Sequence, residues 1–141
     1  MVKISQLCGA SIIIFKEEEI LLQQRKDNKC WGYPGGKIEL GEIVEDAARR
    51  ELYEETGLIV NSMNLFGVFS GPELHHIYPD GKEVDIIDIL YTSDDFYGEL
   101  VAQEEEVNDL RWFHYNNIPI NLSPPIRTPL LKFIVQHYKN K

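Results

Sequence analysis

Cysteine is scarce in this chain, basic residues are outnumbered, and no apolar run approaches the length of a membrane span. Two cysteines, Cys8 and Cys30, are too few for a disulfide framework, and neither sits in a cluster of metal-ligand spacing. Fourteen Lys and Arg stand against twenty-three Asp and Glu, for a net charge of −9. That balance argues against a broad basic surface for nucleic acid or an anionic membrane. A phosphate-bearing ligand would be repelled unless cations or local bases screened its site. The apolar stretch after Lys3 is cut short by Lys16-Glu17-Glu18-Glu19 and lacks a signal-cleavage pattern, so a cytoplasmic address is the default expectation. No internal repeat or low-complexity segment interrupts the 141 residues, which read as a single domain, 1–141.

What the chain does have is an unusual concentration of acid. On a helix over residues 43–56, at about 100° per residue, Glu51, Glu54 and Glu55 share one face. Val44, Ala47 and Ala48 fall on the same side, while Asp46, Arg49 and Tyr53 form the opposite, solvent-facing one. Three carboxylates thus line up with the stripe that points into the protein, where an unpaired charge is very costly. No Lys or Arg projects onto that face, so a hard divalent cation, Mg²⁺ or Mn²⁺, is the expected counter-charge. A merely solvated acidic face would leave Val44, Ala47 and Ala48 in water and the helix with no apolar side.

Around that helix the patterning alternates between strand and helix. Ala10 to Phe15 reads as a buried strand, and Ile20 to Arg25 as a second, antiparallel to it after the turn Lys16–Glu19. Arg25 ends that strand, either facing solvent or contacting phosphate or ribose oxygens. Trp31-Gly32-Tyr33-Pro34-Gly35-Gly36 reads as a tight irregular loop, with Trp31 as a core anchor or a platform for a base. Lys37 to Glu39 is expected as a short strand, and Gly57 as the C-terminal cap of the helix. Leu65–Ser70 and Val84–Thr92 are strand candidates, with Tyr78-Pro79-Asp80-Gly81 as a β-turn between them. His75 and His76, adjacent on an extended segment, point to opposite sides and make no two-ligand metal site; they read as surface or substrate-rim residues. Gly98–Glu106 is an acidic loop before a short strand at Leu110–Phe113, and Asn117–Pro125 a proline-punctuated connection. Thr128 then reads as a helix N-cap with Pro129 in the first position, followed by an apolar stripe at Leu130, Leu131, Ile134, Val135 and Tyr138. The order implies an α+β fold with helices packed on a mixed β-sheet.

Gly36, five residues, Glu42, seven residues, then Arg50-Glu51-Leu52-Tyr53-Glu54-Glu55-Thr56-Gly57-Leu58 resembles the complete Nudix box, with every fixed position filled. Leu21–Arg25, Trp31–Gly36, and Glu105-Glu106 ahead of Leu110–Phe113 are similar to the family outside the box. The resemblance implies a Nudix-type α/β/α sandwich and hydrolysis of the diphosphate linkage in a nucleoside diphosphate derivative by metal-activated water. It implies Glu51, Glu54 and Glu55 as metal ligands, with the carbonyl of Gly36 as a further one and Glu42 at the edge of the cluster. Arg50 would hold a box glutamate rather than touch substrate. The general base would be a box glutamate or a loop carboxylate such as Glu105 or Glu106. Arg25, Trp31 and His76 are the candidate substrate contacts. The substrate, among (d)NTPs, ADP-ribose, nucleotide sugars and dinucleoside polyphosphates, is left open, as is the oligomeric state, a homodimer included. Pyrophosphate removal from an RNA 5′ end and a non-catalytic nucleotide-sensing module are the alternatives.

Overall fold

The computed structural model describes residues 4–78, 80–103 and 105–139. Among them, eight strands form one mixed sheet: β1 (Ile4–Lys16), β2 (Glu19–Arg25), β3 (Trp31–Gly32), β4 (Gly35–Lys37), β5 (Leu58–Phe69), β6 (His75–Ile77), β7 (Glu83–Gly98) and β8 (Val107–His114). Helix α1 (Val44–Thr56) and helix α2 (Pro124–Ile134) complete the fold. The spine of the sheet runs β3-β2-β1-β7-β5, with β4 added to β1, β6 to β7 and β8 to β2. β1 and β7 are parallel, from Ile4 opposite Glu83 to Ile14 opposite Ser93, and the remaining pairings are antiparallel.

The two-residue period of β1 decides which face each side chain covers. Ile13 and Phe15 join Leu22, Leu90, Leu130, Phe133 and Ile134 in one core, under α2. Ala10, Ile12 and Ile14 join Leu21, Ala47, Ala48, Leu52 and Leu58 in the other, under α1. Helices therefore cover both faces, the α/β/α sandwich the resemblance implied. Ala47 and Ala48 are fully buried and Tyr53 is exposed, as the projection of α1 requires. α1 carries no side-chain N-cap, has Glu45 and Asp46 in its first turn, and ends at Gly57, whose φ of 79° suits the left-handed cap.

Several boundaries differ from the sequence reading. Trp31–Gly36 is not wholly irregular: its ends pair as β3 and β4, so the short strand lies at Gly35–Lys37 rather than 37–39. β5, β7 and β8 each extend beyond the stretches read from sequence, because long-range pairing overrides weak local propensity. α2 starts a turn earlier, at Pro124, with Ser123 in the cap position and Pro124 and Pro125 opening the helix. Pro129 therefore lies inside α2 and Thr128 is no cap; the first prolines of the run, not the last, take the positions where no N–H is needed. Gly81 N–H donates to Tyr78 O at 2.8 Å, closing the expected turn, although Pro79 lies outside the described residues. None of the described helices is long and apolar enough to cross a membrane.

Candidate active site on the acidic face of α1

The site is built where α1 crosses β4. Ile12 N–H donates to Pro34 O and Ile38 N–H to Cys8 O, both at 3.0 Å, on either side of the Ala10–Gly36 pair. Bonded pairs recur every second residue in an antiparallel ladder, so the main-chain groups of Gly36 also turn toward β1. Those of Gly35 turn outward, and its N–H donates to Glu55 Oε2 at 3.0 Å. The carbonyl that faces the acids is thus that of Gly35. Gly36 contributes space instead: a Cβ there would overlap the Glu51 carboxylate, and one on Gly35 would overlap Ser11 Oγ.

The three glutamates do not share one environment. Glu55 is 6% exposed. Its second oxygen accepts from Gln23 Nε2 at 3.0 Å. Both donors are neutral, and burial pushes its carboxyl up to about 8. Glu51 is partly buried, and burial raises its proton affinity in the same direction. Glu54 is exposed at the end of the row.

Arg50 corrects the expectation that no base reaches this face. Its Nε and Nη2 donate to the two oxygens of Glu42 at 2.8 and 2.9 Å, the bidentate geometry a planar guanidinium favours. Nη1 donates to Glu51 Oε1 at 3.0 Å and lies 3.4 Å from Glu54 Oε2, while Nη2 also donates to Lys37 O at 3.0 Å. A helical wheel places the Arg50 Cα to one side; the long side chain folds back across the turn. Glu42, held by Arg50 and by the Glu39 N–H, falls to about 2.

Arg50 stands among these acids, and no three His, Cys, Asp or Glu side chains among the described residues already form a ligating cluster. The donor chemistry still fits a hard divalent cation. The groups are all oxygens, Glu55 has no cationic partner within hydrogen-bonding distance among the described residues, and Gly36 leaves Glu51 room to lie against the strand. The chain matches the NUDIX domain over residues 7–134. It belongs to the Nudix hydrolase family.

This Nudix domain is 42% identical over 110 residues to the ADP-ribose pyrophosphatase of Methanocaldococcus jannaschii, an alignment covering 76% of this chain and 61% of that protein. With a putative 8-oxo-dGTP diphosphatase of Bacillus subtilis it shares 32% identity over 117 residues, 82% of this chain and 72% of that one. The crystal structure of a MutT NUDIX hydrolase from Burkholderia pseudomallei superposes with a TM-score of 0.78 at 30% identity, covering 90% of this chain and 97% of that one.

The residues expected outside the box of this Nudix domain fare unequally. Glu106 lies close enough to raise the proton affinity of both Glu51 and Glu55. Glu105 is exposed in the same turn and shows no contact with the cluster; Glu104 lies outside the described residues. Arg25 feels the field of Glu55 and Glu106, but its guanidinium is engaged bidentately by Asp27 at 3.0 and 2.9 Å. Trp31 is 7% exposed and packs edge-on against Phe113, so its ring is a core anchor and offers no open face to a base. His76 stacks edge-on with Tyr78 on β6. Its neighbour His75 instead lines an open cavity of about 570 Å³ with Gln6, Ser70, Gly71, Asp85 and Ile86. Gln23 was missed because nothing in the pair Gln23-Gln24 after Leu21-Leu22 says which glutamine turns inward or what it meets there. Also missed was a buried polar group, Asp88, whose carboxylate accepts from Ser11 Oγ at 2.8 Å beside Tyr33. An acid inside the apolar run Ile86-Ile87-Asp88-Ile89-Leu90 was the available signal.

Proposed function

We propose that this chain is a divalent-cation-dependent pyrophosphohydrolase that cleaves the diphosphate linkage of a nucleoside diphosphate derivative, with ADP-ribose as the first substrate to test. The observation that carries the reading is Glu55, a buried carboxylate held by two neutral donors beside Glu51 and Glu54. A structural ion pair would have supplied a cationic partner. ADP-ribose is favoured by the 42% identity to a protein named for that activity, although this chain spans only 61% of its length.

In this reading Glu51, Glu54, Glu55 and the Gly35 carbonyl hold the ion, Mg²⁺ or Mn²⁺. A bound ion of this kind neutralises diphosphate oxygens and acidifies water. Arg50 bridges Glu42 and Glu51 and keeps Glu51 against β4. Of the two loop candidates, Glu106 is the one whose charge is felt by both Glu51 and Glu55, which makes it the general base of choice, taking a proton from the water that attacks phosphorus in line. The net charge of −9 disfavours long RNA and favours a small, cation-screened substrate.

The test is a panel of ADP-ribose, nucleotide sugars, (d)NTPs, 8-oxo-dGTP and 5′-triphosphorylated RNA, each incubated with Mg²⁺, with Mn²⁺ and with chelator. Metal-dependent release of AMP and ribose 5-phosphate from ADP-ribose is the expected result. A panel with no turnover under any metal condition would overturn the proposal.

A further inference from the structure

We propose that Gln23 is a positioning residue that sets the orientation of the Glu55 carboxylate for cation binding, an inference that rests on the divalent-cation reading above. Gln23 is 6% exposed in the middle of β2, following two fully buried leucines. Its backbone is fixed on both sides, opposite Gly32 of β3 and Leu110 of β8. From that rigid point Nε2 reaches Glu55 Oε1 at 3.0 Å, while Gly35 N–H takes Oε2 from the other strand. Each carboxylate oxygen thus has one donor from a separate strand, which fixes the plane of the group and leaves the remaining lone pair on each oxygen uncommitted.

The amide has an unused end. Gln23 Oε1 is buried and finds no hydrogen-bond partner among the described residues. A buried carbonyl without a partner costs stability. A leucine or methionine would fill the same volume in this apolar strand without that cost. The donor end of the amide is therefore the feature that serves a purpose, and its partner among the described residues is Glu55. The neutrality of the donor matters equally. Lys or Arg at this position would neutralise Glu55 and compete with a cation, whereas an amide orients the carboxylate and leaves its charge available. Outer partners of this kind affect metal affinity through the ligands they hold.

The test is Mn²⁺ binding to wild type, Gln23→Met and Gln23→Leu without substrate, by EPR of free Mn²⁺, beside thermal melts of the metal-free proteins. Both variants are expected to lose about tenfold or more in Mn²⁺ affinity, in the range such outer-shell changes produce, with metal-free Tm unchanged or raised. Hydrolysis at saturating metal should recover more fully than hydrolysis at low metal. Wild-type affinity in both variants would overturn the role of Gln23 alone. Affinity that falls only in step with a lower metal-free Tm would reduce Gln23 to a packing residue and also overturn it. A wild-type protein that binds no Mn²⁺ would overturn the cation reading and this inference together.

Discussion

Glu55 and Glu42 bracket the same short acidic surface, yet their carboxyls are shifted in opposite directions. Glu55 is buried with an amide and a backbone N–H as donors, and it is pushed up to about 8. Glu42 meets the two-pronged guanidinium of Arg50 and falls to about 2. Two neutral hydrogen bonds do not offset the loss of water around Glu55, whereas a charge-assisted pair at the surface does so for Glu42. One glutamate is thereby kept in want of a cation and the other is satisfied by one the chain supplies. The fold sorts identical side chains into a buried, proton-holding acid and an ion-paired one by the charge of their donors.

The most direct way to break that contrast is Glu54→Gln. Glu54 is the exposed member of the row, so its loss should leave the melting temperature nearly unchanged. Turnover of ADP-ribose in Mg²⁺ should fall by at least about 100-fold, the scale of removing a key charge stabiliser. A loss under tenfold would take Glu54 out of the site.

Next in size is the pH dependence of metal-free stability. Because the folded-state pKa of Glu55 lies above its unfolded value near 4.5, the folded protein binds the extra proton between the two. Stability should therefore fall as pH rises from about 4.5 to about 8, by an amount on the order of a few kcal/mol. Glu55→Gln should flatten that limb in urea titrations across the window. Saturating Mg²⁺ should flatten it too, by favouring the charged form. Glu42 has the reverse sign: its contribution is present above the unfolded value near 4.5 and is lost as pH falls toward about 2, so Glu42→Gln should blunt acid unfolding alone.

A smaller effect is expected for Arg50→Lys, which keeps the charge but not the fork. It should lower kcat about tenfold through a loosened Glu51, with little change in KM. Smallest of all, His76→Ala should change kcat/KM by less than about twofold, since the ring packs on Tyr78 rather than facing the acids. A rise in KM that accounts for the whole fall in kcat/KM for Arg50→Lys, with kcat unchanged, or a large fall in kcat/KM for His76→Ala, would redraw the boundary of the site.

How far the sequence could be read follows from range. The inward face of α1 was legible because helical period and box spacing are local, and Ala47, Ala48 and Gly57 each behave as local rules require. What Arg50 does was not legible in the projection, since a guanidinium at the end of a flexible stem can serve a face its Cα does not occupy. Gln23 and Asp88 were hidden for a related reason: their partners, Glu55 and Ser11, are 32 and 77 residues away. The start of α2 went astray between competing local signals, because three prolines at 124, 125 and 129 each suit a helix opening and only packing chooses among them.

The pair Gly35-Gly36 has one more consequence. Ser11 Oγ lies directly against Gly35 on one face of the sheet and the Glu51 carboxylate against Gly36 on the other. At this point the wall between the two halves of the protein is a single unadorned backbone. Bulk added on the far side, Ser11→Val for instance, would press on Gly35 and would also take away the hydroxyl that donates to the buried Asp88. An engineer seeking to retune the acidic face of α1 could thus work from the opposite face of the sheet, at a residue outside the row of glutamates.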